Sequence, residues 1–149
     1  MTQRTLMLAI LGAILVLGSP AFAAEGDGVL KVEVENIEND KGNIGCSLWT
    51  KEDGFPSDTE KALERVTLKP KDKKATCVFK NVKPGTYAVS VMHDVDADGE
   101  LDSNFVGRPQ EPWAVSNNVP AERFGPPKFE ATQFKYSGKA STIKVKLTL

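Results

Sequence analysis

The sequence predicts an all-β fold: an antiparallel β-sandwich of about seven strands, immunoglobulin-like or transthyretin-like, with one long loop. Three observations carry this. Apolar and polar residues alternate with period two through most of the chain, as in "VLKVEVEN" at 29–36 and "TIKVKLTL" at 142–149. Turn residues recur at short intervals, as in "NDKG", "KDKK" and "KPG". Only one short run, "EKALER" at 60–65, favours a helix.

The elements follow in order. The segment 29–36 puts Leu30, Val32 and Val34 on one side and Lys31, Glu33 and Glu35 on the other, the pattern of a half-buried strand. "NDKG" (39–42) turns the chain into a returning strand, "NIGCSLWT" (43–50), which makes a hairpin. Gly54 and Pro56 end the strand pattern, and Ser57 and Glu60 have capping-box spacing ahead of the helix formers. The region from 51 therefore reads as a loop with one or two helical turns. "RVTLK" (65–69) is a short strand stopped by Pro70, and "ATCVFKNV" (75–82) is another. After the Pro84–Gly85 turn, "TYAVSVMH" (86–93) carries Tyr87, Val89 and Val91 on one face, a composition suited to a central strand. From Asp94 to about Lys128 no period holds, and five prolines and three glycines interrupt the chain. A loop of that length is functional or disordered. Phe105, Trp113 and Phe124 argue against disorder. "KFEATQFKY" (128–136) and 142–149 read as the closing strands, joined by "SGKAS".

Residues 1–23 read as a signal peptide rather than as fold. Arg4 is followed by an apolar run from Leu6 to Leu17, and Ala21-Phe22-Ala23 fits the small-residue cleavage pattern. The run is too short for the roughly 20 residues that cross a bilayer. The expected mature chain, 24–149, is one β-sandwich domain, periplasmic or secreted, with no membrane span after cleavage and expected as a monomer. Without Arg4 it has 18 basic and 20 acidic side chains, a net charge of −2. That balance points to no nucleic-acid partner and no anionic membrane surface. Cys46 and Cys77 both lie in the exported part, each on the apolar parity of its strand. An oxidising compartment favours a Cys46–Cys77 disulfide, worth roughly 3 kcal/mol in the chain-entropy model, over two buried thiols.

The chemistry concentrates in "HDVDADGELD" at 93–102. Asp94, Asp96, Asp98 and Gly99 reproduce the first half of a D-x-D-x-D-G calcium loop, in which alternate side chains of a curled backbone aim oxygens at one centre. Glu100 would offer its carbonyl and Asp102 a water-mediated contact. The pattern then departs from an EF-hand, because position twelve is Phe105 and a strand, not a helix, precedes the loop. The expected metal residues are Asp94, Asp96, Asp98, Glu100 and Asp102, with calcium as the ion that hard oxygens select. Two other readings compete. Asp and Gly are ordinary turn residues that satisfy nearby N–H groups, and Arg108 could neutralise the loop without a metal. His93, the only histidine, lacks the Cys or His partners of a zinc site, and no nucleophile-elbow motif accompanies it.

Several stretches together resemble the bacterial exported family known as domain of unknown function 2141 (DUF2141). They are Pro84-Gly85-Thr86-Tyr87-Ala88, His93-Asp94, Gly99-Glu100-Leu101-Asp102, Gly107-Arg108-Pro109, Ser116-Asn117-Asn118 and Pro127-Lys128-Phe129-Glu130-Ala131. The resemblance implies a periplasmic or secreted β-sandwich and no established activity. It departs at Trp113-Ala114-Val115, where members tend to carry a Gly-Phe-like pair. A binding surface after the strand end is expected from His93, Asn104, Arg108, Trp113 and Asn117, since loops on a rigid sandwich carry function. The sequence thus supports a non-enzymatic binding module with a calcium loop and no catalytic residues. The alternatives are a metal-assisted hydrolase built on His93 and the carboxylates, or a purely structural or interaction domain presenting Trp113 and Phe124.

Overall fold

The computed structural model describes residues 28–123 and 125–149; the expected signal peptide and Phe124 lie outside them. Two β-sheets face each other. The smaller one has the order β4-β1-β8, from β1 (Leu30–Glu35), β4 (Ala75–Phe79) and β8 (Ser141–Lys146). The larger has the order β3-β2-β5-β6, from β2 (Asn43–Trp49), β3 (Glu64–Leu68), β5 (Gly85–Asp94) and β6 (Trp113–Val115). A short β7 (Phe134–Tyr136) pairs with the first residues of β5. All pairings are antiparallel except β1 with β8, which run parallel.

The alternating pattern does what it predicts. Leu30, Val32 and Val34 of β1, Ile44, Cys46 and Leu48 of β2, Tyr87, Val89 and Val91 of β5 and Val145 of β8 meet in one core between the sheets. Cys46 in the larger sheet and Cys77 in the smaller are joined by a disulfide with a Cα–Cα distance of 6.4 Å, so the bond staples one sheet to the other.

Three expectations change. The first half of "KFEATQFKY" is not a strand but a single helical turn, α1 (Phe129–Thr132). Glu130 and Ala131 favour helix, Phe129 packs on Trp49 and Ala88, and the Thr132 hydroxyl bonds back to the Phe129 carbonyl. The helix expected after Ser57 is only a 3-10 turn at Thr59–Lys61, because the chain enters β3 already at Glu64. The long irregular segment contains β6, which the flanking prolines concealed. It also folds back on itself: Ser103 bridges Pro109, and Asn104 N donates to Arg108 O at 2.8 Å.

One glycine fixes how the first hairpin meets the loop after β5. Gly42 has φ +63°, and a Cβ there would lie 1.9 Å from the Asp94 carbonyl oxygen. Only a residue without a side chain lets this turn lie against the start of the acidic segment.

Candidate functional site

β5 ends by sending consecutive side chains to opposite faces. His93 pairs in register with Ile44 and shares its inward side, whereas Asp94 pairs with Asn43 and faces outward. His93 is 0% exposed. Its Nε2 donates to the Lys41 carbonyl at 2.8 Å, a bond that holds the β1–β2 turn to the strand end. It therefore stands behind the sheet from the carboxylates and has no access to solvent.

The acidic loop is built by its own backbone. The Asp94 carboxylate accepts from Asp98 N at 3.1 Å and Gly99 N at 3.0 Å, which curls the chain over the strand end. Asp96 also accepts from Asp98 N, and Asp98 from Glu100 N, as Asx turns do. The returning limb adds Glu111, which accepts from Val95 N at 2.6 Å and Asp102 N at 3.3 Å and so ties the two limbs together.

The result is a convergence of Asp94, Asp96 and Glu111, each offering an oxygen within 4.8 Å of the others. Asp94 is 3% and Glu111 6% exposed, while Asp96 is open to solvent. No ion pair between described residues involves any of the three. Burying two carboxylates side by side without a cation is costly, since each raises the energy of the other's charge and both have lost water.

Of the five expected metal residues, the structure brings only Asp94 and Asp96 into this cluster. Asp98, Glu100 and Asp102 are exposed and outside it. The expected register of a contiguous calcium loop is therefore not kept, because the Asp98 carboxylate is turned back onto Glu100 N. Glu111 was not anticipated. It sits 17 residues beyond Asp94, and only the fold-back of 102–110 brings it near. One signal was present: it is the only acid between Asp102 and Glu122, followed directly by Pro112 and Trp113.

The expected binding surface also disperses. Asn104 spends its side-chain oxygen on Val106 N and Arg108 N, closing the loop tip. Arg108 is exposed and makes no ion pair with the acidic loop, so it does not supply the neutralising charge. Asn117 donates to the Ala131 and Gln133 carbonyls and fastens the 116–118 turn to α1. Trp113, half-buried on the outer face of the larger sheet, and the exposed Arg108 side chain remain available to a ligand.

The family model described as "Uncharacterized protein conserved in bacteria (DUF2141)" matches residues 32–144, from β1 into β8. The chain belongs to the DUF2141 family. The match includes every residue of the carboxylate cluster and both cysteines. No curated protein and no solved structure matches the chain. Membership of DUF2141 accordingly brings no activity with it, and the reading of the site rests on its geometry. Among the described residues no helix is long and apolar enough to cross a membrane.

Proposed function

We propose that this DUF2141 protein is an exported, non-enzymatic binding module whose β5–β6 loop is ordered by a divalent cation, calcium by preference. The observation that carries this is the convergence of Asp94, Asp96 and Glu111 within 4.8 Å, two of them buried, with no basic side chain paired to them. The donor set fits a hard cation: all three ligands are carboxylates, and none is a thiolate or imidazole. Three carboxylates leave room in a shell of six to eight for loop carbonyls and water. Asp94 and Glu111 would hold the ion against the strand end, and Asp96 would close over it from solvent.

Export to the periplasm or the medium is supported by the signal-like first 23 residues and by the disulfide, which persists in an oxidising compartment. A monomer of residues 24–149 remains the expected functional form. Catalysis is disfavoured by the burial of His93 behind the sheet.

One observation favours a second reading, a purely structural loop. Asp94 and Glu111 each accept two backbone N–H groups, and those bonds alone stabilise ionised carboxylates. Thermal melting separates the two. With a cation bound, millimolar calcium raises Tm by about 2–6 °C over chelator, and Asp96→Asn, at an exposed position, abolishes the increment. Equal melting in calcium and chelator leaves the structural loop as the reading.

A further inference from the structure

The outer face of the larger sheet is covered at both ends and open between them. At one end Trp49 and Ala88 lie under Phe55, Ala62 and Phe129, brought over by the 50–63 excursion and by α1. At the other end the acidic loop reaches over with Ala97, Asp98, Gly99 and Leu101. The uncovered stretch is a cleft of about 340 Å³, in the range of small-molecule sites.

Strand register defines its floor as two rows. One runs Thr67, Gly45, Met92, Trp113 across β3, β2, β5 and β6; the next runs Arg65, Ser47, Ser90. The Ser90 hydroxyl is already used, accepting from Trp49 Nε1 and donating to the Pro56 carbonyl. Ser47 differs. It is 5% exposed as a residue, lines the cleft, and makes no side-chain hydrogen bond to a described residue. Ser47 therefore leaves its hydroxyl open to a partner in the cleft. Directly across the β2–β3 register stands Arg65, whose guanidinium also has no side-chain partner among the described residues. The β3 side of the cleft thus offers a planar cation flanked by hydroxyls, and its centre offers the Met92 thioether and the Trp113 ring.

We propose that this cleft binds a small organic carboxylate. Its head lies on Arg65 and Ser47, the planar guanidinium matching the planar acid, and its apolar or ring body lies across Met92 towards Trp113. The acidic loop sets the orientation. Asp94 is two strands and four residues from Arg65 in the register, about 16 Å by standard strand spacings, so the anion sits at the far end from the carboxylates. Gly45 keeps the floor low: a Cβ there would come within 3.3 Å of the Met92 side chain that lies over it.

The test uses protein purified after expression of the full chain and titrated in chelator, so that it stands apart from the cation reading. Benzoate, benzamide and inorganic phosphate are followed by amide and indole chemical shifts. Saturable benzoate shifts centred on Ser47, Arg65, Thr67, Met92 and the Trp113 indole are expected, with benzamide and phosphate at least tenfold weaker. Arg65→Gln, at an exposed position, should weaken benzoate at least tenfold with an unchanged amide spectrum elsewhere, and Thr67→Trp should block it. Absence of saturable benzoate shifts overturns the proposal. So does equal binding of benzamide or phosphate, or undiminished binding by Arg65→Gln.

Discussion

Glu111 and Ser116 show how single polar side chains hold the irregular half of this molecule. Glu111 gives acceptors to two N–H groups on different limbs of the loop, Val95 and Asp102. Replacing it by Ala leaves both without that partner, and the expected loss is about 1–3 kcal/mol by chemical denaturation, with little change in m. Ser116, 1% exposed, accepts from Val89 N and donates to the Thr132 carbonyl, so one hydroxyl joins β5 to the end of α1. Ser116→Ala should cost a similar amount, read by the same measurement. The two residues differ in their visibility beforehand. Asp94 and Asp96 declare themselves by their spacing, because local turn chemistry is written in neighbouring residues. Glu111 joins them only through a fold-back that no local pattern encodes. The basic partner proposed for the loop, Arg108, fails for the same reason: the turn at Asn104 fixes its backbone and says nothing of where its side chain goes.

Among the elements, the strands were the most legible, since period-two alternation reports directly on which face meets the core. β1, β2, β4, β5 and β8 appear within a few residues of their expected bounds. The misreadings fall where tertiary contact overrides a weak local pattern. α1 exists because Phe129 is drawn onto Trp49, and β6 exists because three residues between prolines and an Asn turn find an edge of β5. The Trp49–Phe55–Phe129 aromatic group, with ring centroids 5.5 and 5.2 Å apart, is therefore the anchor of the excursion and the helical turn alike. Phe129→Ala should cost about 3–5 kcal/mol and raise hydrogen exchange first in 50–63 and α1, while β1 and β8 stay protected. On the same excursion Lys61 bonds Asp53 at 3.0 Å and pairs with Asp58, and the Asp53 contact, then Asp58, holds its ammonium pKa above the ordinary value. The turn between β1 and β2 is the other constrained element. Gly42→Ala forces a Cβ into the Asp94 carbonyl and should lower stability by more than about 2 kcal/mol, with amide shifts spreading into 94–99.

At the scale of the whole molecule, one covalent bond and one core unite two sheets of unequal size. The Cys46–Cys77 bond was expected from strand parity and compartment together: both residues fall on apolar positions and so could meet in the core, and an oxidising compartment favours pairing. Reduction, or the double change to Ala, should lower unfolding free energy by roughly 3 kcal/mol and Tm by about 10 °C, without changing the fold reported by far-ultraviolet circular dichroism. The parallel pairing of β1 with β8 was not foreseeable, since alternation fixes faces and leaves strand order open. The sandwich presents the carboxylate cluster at one end of β5 and the open cleft beside it, and the first of these bears the functional account. Isothermal titration of calcium into metal-free protein tests it most directly. The account predicts one site per chain with a dissociation constant of about 10⁻⁴ to 10⁻³ M, lost in Asp96→Asn. No heat of binding up to ten millimolar calcium, or an unaltered isotherm in Asp96→Asn, would contradict it.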